Sequence, residues 1–342
     1  MMCFQLAVPV VGAPMAGGAS TPALVAAVSG AGGLGFLAAG YRTAGAMVEQ
    51  IGRTRELTDR PFGVNLFVPG PPSDAAVVAA YRRRLLPEAE AWGVELPSVI
   101  PPDRDDWDAK LAALIADPVA YVSYAFGLPA RADVEAVRAV GGVQIGTVTT
   151  PAEALAATRL GLDVLTVQGP GAGGHRATHR AEDEPGTLPL LQLLAAVREV
   201  TELPLIAAGG LADGAAIAAA LRAGARAVQL GTAYLRTDES GASPAHRRAL
   251  LERDATTVTR AFTGRPARGL RNAFIDRHQP HAPTAYPEVH HLTQPLRAAA
   301  ARRGDLDAMH LWAGTGHRLA RSGPAADLTR ALWREAGAPA RR

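Results

Sequence analysis

Asp163-Val-Leu-Thr-Val-Gln168-Gly-Pro-Gly-Ala-Gly-Gly174-His175-Arg176 is the stretch on which the fold turns. Val164 to Val167 are a short β-branched, apolar run between Gly161, which ends a helical pattern, and a cluster of glycines. Such a run reads as a buried strand. Gln168 falls at its carboxyl end. Gly169, Gly171, Gly173 and Gly174 follow in a loop almost free of side chains, so that a flat ligand can approach the backbone closely. His175 and Arg176 stand just beyond. A buried strand that ends in a bare loop and a histidine is how α/β proteins place chemistry at strand carboxyl ends.

Working outward, seven more apolar runs of the same kind alternate with helical stretches: Val8–Ala13, Leu34–Ala38, Phe62–Leu66, Ala120–Tyr124, Val143–Thr147, Pro204–Ala208 and Ala227–Leu230. The intervals carry helix punctuation. Thr21-Pro22 sets a cap before a proline at the first helical position. Thr150-Pro151-Ala152-Glu153 has the form of a capping box, and Asp213 opens a stretch that Gly224 closes. Eight β–α alternations point to a (β/α)8 TIM barrel, typically ~250 residues long. An open doubly wound sheet should show Gly-x-Gly-x-x-Gly after its first strand. Here that strand leads into Ala13-Pro14-Met15-Ala16-Gly17-Gly18, whose spacing is wrong for a dinucleotide. The expected partition is a barrel over 1–235 with a helical excursion at 68–118, a small, mainly helical second domain over 236–303 inserted after strand eight and covering the substrate, and C-terminal helices over 304–342 returning to the barrel.

The chain has 342 residues, 48% of them hydrophobic, enough for a sizeable core. Its single cysteine, Cys3, excludes an intrachain disulfide and suits a reducing, cytoplasmic setting. The opening residues lack the basic-then-apolar layout of a signal peptide, and no apolar run is long enough to span a membrane. The formal charge of +3 is small, and Lys110 is the sole lysine among 35 basic residues. Arginine runs such as Arg82-Arg83-Arg84 and Arg341-Arg342 have no interleaved aromatics and read as solvated faces, not as a nucleic-acid surface. His246, His278, His281, His290, His291, His310 and His317 lack regular ligand spacing, so no metal site is expected.

In a barrel the carboxyl ends of all strands share one face. That face collects the Ala13-Pro14-Met15 loop, Asn65, Gln168, Gly173, Gly174 and His175, then Gly209-Gly210 after strand seven and Gln229-Leu230-Gly231-Thr232 at strand eight. Glycines at the ends of the last two strands, each before a helix start, leave N–H groups free for a phosphate. Asn65 and Gln168 are neutral amides able to pair with the pyrimidine edge of a flavin. Phosphate site, amides and bare glycine walls together suggest FMN.

The ordered set Ala13-Pro-Met-Ala-Gly-Gly18, Gly33-Leu-Gly-Phe-Leu37, Pro61-Phe-Gly-Val-Asn65, Gln168-Gly-x-x-Ala-Gly-Gly-His175, Ala207-Ala-Gly-Gly210 and Gln229-Leu-Gly-Thr232 resembles the nitronate monooxygenases, once called 2-nitropropane dioxygenases. The likeness continues through Gly264-Arg-Pro-Ala-Arg-Gly269, Tyr286-Pro287 and Leu311-Trp-Ala-Gly-Thr-Gly316, and so covers nearly the whole chain. The resemblance implies an FMN-bearing TIM barrel that oxidises alkyl nitronates with molecular oxygen and needs no NAD(P)H. It implies that Asn65, Gln168, Gly173, Gly210 and Gln229 to Thr232 hold FMN, with His175 over the flavin beside the substrate. There the histidine, as a cation or a neutral donor, would steady an anionic nitronate; as a base it would take a proton. Tyr286 either reaches this site or packs. Two departures bear on substrate identity. Pro170-Gly171 stands where the family usually has Glu before Ala-Gly-Gly-His, and Ala125 stands where many relatives carry a polar residue. The competing expectations are an NAD(P)H-dependent FMN reductase of quinones or enoyl thioesters, which shares the early and late glycine motifs, and a ligand-binding barrel without redox chemistry.

Overall fold

The computed structural model describes residues Phe4–Gly337; Cys3 and the Arg341-Arg342 pair lie outside the described residues. In chain order the elements are β1 (Val10–Gly12), α1 (Pro22–Gly30), β2 (Leu34–Ala38), α2 (Ala44–Leu57), β3 (Gly63–Phe67), α3 (Ala75–Trp92), α4 (Trp107–Ala116), β4 (Tyr121–Ala125), α5 (Arg131–Ala139), β5 (Val143–Val148), α6 (Pro151–Leu160), β6 (Val164–Gln168) and β7 (Gly174–His175). They continue as α7 (Leu190–Arg198), β8 (Leu205–Ala208), α8 (Gly214–Arg222), β9 (Ala227–Leu230), α9 (Pro244–Glu252), β10 (Thr256–Thr259), β11 (Ala267–Leu270), α10 (Ala273–His278), α11 (Glu288–Arg303) and α12 (Ala325–Glu335). Strands β1 to β6, β8 and β9 close into one parallel barrel, with β9 pairing back onto β1. These are the eight strands expected from sequence.

Alternation along each strand decides what faces where. Val11, Leu34, Phe36, Ile145, Val164, Ile206 and Ala227 fill the barrel interior, with Phe4 among them. Their neighbours Val10, Leu37, Val64, Val122, Leu165, Leu205 and Val228 pack outward against the helices. Phe36 explains Gly63. A Cβ at position 63 would lie 2.1 Å from the Phe36 ring, so the large side chain fits only because the adjacent strand has none there. The caps read from sequence form as well. Thr21, Thr150 and Asp213 accept N–H groups of the first turns of α1, α6 and α8. The Glu153 carboxylate, however, turns to the N–H and hydroxyl of Thr149 and to the N–H of His179, tying α6 to the loop beyond β7.

The excursion after β3 and the stretch after β9 share a second core. Val78, Tyr81, Leu85 and Ala89 of α3 pack with Phe262, Phe274, Val289, Leu292 and Leu296. The stretch after β9 also holds strands absent from the sequence reading. β10 and β11 pair antiparallel, and β11 then pairs with β7, placing Ala267 opposite His175 and Arg268 opposite Gly174. The histidine that follows the glycine loop is therefore the edge of a small sheet built from the later part of the chain.

Candidate active site

At the end of β8, Gly209 and Gly210 have φ of 110° and 77°, a left-handed backbone that favours glycine. Among the described residues, none accepts a hydrogen bond from the N–H of Gly209, Gly210 or Gly231. The segment Ala313–Gly316 closes over these turns. Gly314 donates its N–H to Thr232 Oγ1 at 2.9 Å, and Thr315 donates its own to the Gly171 carbonyl at 3.0 Å. A Cβ at Gly210 would lie 2.9 Å from Thr315 Oγ1, and one at Gly173 would lie 2.4 Å from Gly314 N. The result is a cradle of free N–H groups and two threonine hydroxyls, with no room for a Cβ at Gly173 or Gly210. Its donor set suits a phosphate. Gly314 and Thr315 were not foreseen as site residues, although their motif was visible in the chain.

The other expected residues fall around the same mouth. Ala13, Pro14 and Met15 form a partly exposed loop after β1, fixed where Met15 N–H donates to Ser20 Oγ at 2.8 Å. Asn65 faces the barrel interior and is buried; its Nδ2 donates to Ser123 Oγ at 2.9 Å, leaving Oδ1 without a protein donor among the described residues. Gln229 is partly exposed, whereas Leu230 is buried and packs. Gln168 does more local work than its sequence position implies. Its Nε2 donates to the His175 carbonyl at 3.1 Å, while its Oε1 accepts from Ala177 N–H at 2.9 Å and Arg176 Nε at 3.3 Å. It pins both ends of the glycine loop to the strand and keeps one amide hydrogen to spare.

His175 sits among three aromatic rings, with Phe126, Tyr286 and Trp312 each 5.6 Å away between centroids. Its Nε2 lies 2.9 Å from Thr263 Oγ1. Burial, reinforced by the charges of Arg265 and Arg297, pushes the imidazole down to about 3. That favours the neutral-donor form among the roles expected of it. Tyr286 does reach this group: its hydroxyl donates to Tyr41 Oη at 3.0 Å. Phe126 and Tyr41, at the ends of β4 and β2, have φ of 74° and 64°, strained for residues with side chains.

Three buried guanidinium groups collect here. Arg176, Arg265 and Arg297 are only 2%, 3% and 7% exposed. Arg176 reaches the Gly186 carbonyl, Arg265 the carbonyls of Arg176 and Thr178, and Arg297 the carbonyl of His290 and the hydroxyl of Thr293. Among the described residues none of the three meets an acidic side chain within ion-pair distance. Burial lowers each of them to about 10, so all remain charged at neutral pH. Arg265 also lies 4.3 Å over the Phe126 ring. Sequence reading missed Thr263, Arg265, Arg297 and Tyr41. Tyr41 follows its strand as closely as the glycine loop follows β6, so the strand-end rule could have found it; nothing local marks Arg297.

The fold defines an enzyme of the (β/α)8-barrel class, with its candidate site at the carboxyl mouth of the strands. The model of the nitronate monooxygenase family matches residues 1–335. Relatives named nitronate monooxygenase include one from Pseudomonas aeruginosa, 43% identical over 96% of this chain and 95% of its own. Another, from Paraburkholderia phytofirmans, is 41% identical over 96% and 92%. Among solved structures, a nitroalkane oxidase from Streptomyces ansochromogenes superposes with a TM-score of 0.94 at 51% identity, covering 97% of this chain and 96% of that one. FabK from Thermotoga maritima superposes with a TM-score of 0.76 at 26% identity, over 97% and 93%. The chain belongs to the nitronate monooxygenase family and is an oxidoreductase.

Proposed function

We propose that this protein oxidises small alkyl nitronates with molecular oxygen by way of bound FMN, and that His175 faces the substrate. The observation that carries this reading is the set of three buried guanidinium groups, none in an ion pair among the described residues, around a buried histidine. Burying guanidinium groups without an acidic partner is costly, and an anionic ligand offsets that cost. A nitronate carries such a charge on its reacting group; the reacting groups of a nitroalkane, quinone or enoyl thioester do not.

The free N–H groups of Gly210 and Gly231, with Thr232 and Thr315, would hold the FMN phosphate. Backbone at Ala13–Met15 and at Gly173–Gly174 would flank the ring, with Asn65 Oδ1 and Gln229 as pairing groups. Bound flavin supplies the acceptor for electrons from the nitronate and passes them to oxygen. The chain's own contribution is to bind and orient. Thr263 Oγ1 lies closer to His175 Nε2, at 2.9 Å, than to the Arg265 carbonyl, at 3.2 Å. When Thr263 donates to Nε2, the ring proton sits on Nδ1, and a neutral N–H donor is offered to the substrate. An imidazole lowered to about 3 is a poor base for a carbon acid, so the anion should be preferred over its neutral parent. The cover formed by β10, β11 and α11 would exclude water from this site.

An oxygen electrode tests the reading. Purified protein should consume oxygen with ethyl nitronate in the absence of NADH, and far more slowly with freshly dissolved neutral nitroethane. Equal rates with both, or consumption only when NADH is added, would overturn it. The second outcome would favour a flavin reductase, which the likeness to FabK keeps in view.

A further inference from the structure

Beside the aromatic wall of His175 lies a cavity of about 610 Å³ lined by Tyr41, Phe126, Arg265, Tyr286 and the Pro69–Pro72 segment, with Asp103, Asp105 and Glu182 also on its wall. Two donors on its inner wall are unused. Arg265 spends Nε and one terminal nitrogen on the carbonyls of Arg176 and Thr178, and among the described residues no acceptor meets its Nη1. Tyr41 Oη accepts from Tyr286, and among the described residues nothing accepts the Tyr41 hydroxyl hydrogen. A hydroxyl that accepts one hydrogen bond is a stronger donor of the next.

Tyr41 is held there against its own preference. Its backbone is left-handed, with φ of 64°, a conformation that costs about 1 kcal/mol or more for a residue with a side chain. Three contacts from different parts of the chain enforce it. Its N–H donates to Asp105 Oδ1 at 2.7 Å; its ring stacks on His290 at 3.9 Å, tilted by only 2°; and Tyr286 fixes its hydroxyl. Asp105 is itself steadied by Lys110, the sole lysine, whose Nζ is 2.8 Å from Oδ2.

We infer that the Tyr41 hydroxyl and Arg265 Nη1 form a subsite for a small planar oxyanion on the cavity wall, one aromatic ring away from His175. In an enzyme of nitronates this subsite takes the O–N–O edge of the substrate, an assignment that rests on the function proposed above. Asp105 acts as a positioning residue for Tyr41. The phenol keeps its proton throughout the physiological range, because burial raises its pKa, so it remains a donor to an anion.

Nitrate is an inert probe with the same geometry as that edge. Calorimetric titration of the flavin-loaded protein with sodium nitrate should show binding. Tyr41→Phe, which keeps the ring stack, should weaken that binding roughly 10- to 100-fold, the scale of one hydrogen bond to a charged group. Tyr286→Phe removes the polarising partner of the Tyr41 hydroxyl while Asp105 and His290 still hold the residue, so it should weaken binding by about 2- to 5-fold. Thermal unfolding of both variants confirms that the fold is retained. Absence of nitrate binding by the unaltered protein, or equal affinity in Tyr41→Phe, would overturn the subsite. Ethyl nitronate turnover in the same samples separates the two claims: nitrate binding that depends on Tyr41, without nitronate oxidation, would refute the substrate and leave the subsite standing.

Discussion

His175 takes its character from its surroundings more than from its chemistry as a histidine. Burial and two nearby guanidinium groups keep it neutral, and Thr263 fixes one of its nitrogens. Replacing it with Ala should lower kcat/KM for ethyl nitronate by roughly 10²- to 10⁴-fold, the scale of a positioned catalytic group, with little change in flavin content. Asn, which retains a donor, should recover part of the loss. The pH profile carries a sharper expectation. A group lowered to about 3 is already deprotonated from pH 5 upward, so kcat/KM for nitronate should show no ionisation between pH 5 and 8 that disappears in His175→Ala. An inflection near the ordinary histidine value, about 6.5, that vanishes in the variant would mean that the cation is the working form.

At the scale of elements, the barrel and its glycine turns were legible because both leave short-range marks: apolar runs of strand length, caps with proline behind them, and glycines wherever backbone must come close. The sheet that holds His175 leaves no such mark. β7 is two residues long, and its partner β11 lies far along the chain behind the polar β10, so no local period announces the pairing. For the same reason the sequence showed Gln168 as a possible ligand group but not as the clamp on both ends of its loop. The cradle can be tested at one of its legible glycines. Gly231 has φ of −113°, and a Cβ there would make only ordinary contacts, the nearest 3.4 Å from Ala13 Cβ. Gly231→Asp should therefore fold normally while setting a carboxylate against the cofactor phosphate. Purified variant should carry less than about a tenth of the usual flavin, since a like charge at such a distance costs more than 1.4 kcal/mol; full flavin content in a folded variant would refute the cradle.

For the molecule as a whole, the buried histidines set the response to acid. His175 and His246 are lowered to about 3 and about 4, and His278, His290 and His310 are lowered as well, burial being the main cause in each. Each takes a proton more readily when unfolded than when folded, so its stabilising effect is complete above about pH 6.5 and is lost as pH falls toward the folded value. Asp105, raised to about 6 by burial, works in the opposite sense, its contribution being lost as pH rises through that value. Five groups outweigh one, and Tm should fall steadily from pH 7 to pH 5; a Tm that rises over that range would contradict the protonation states assigned here. The central claim is that the later chain closes a barrel mouth around an anion to be oxidised, and anaerobic mixing of the purified flavin-loaded protein tests it most directly. Ethyl nitronate should bleach the flavin absorbance within the mixing experiment and NADH or NADPH should leave it unchanged; bleaching by the nicotinamide but not by the nitronate would contradict the account.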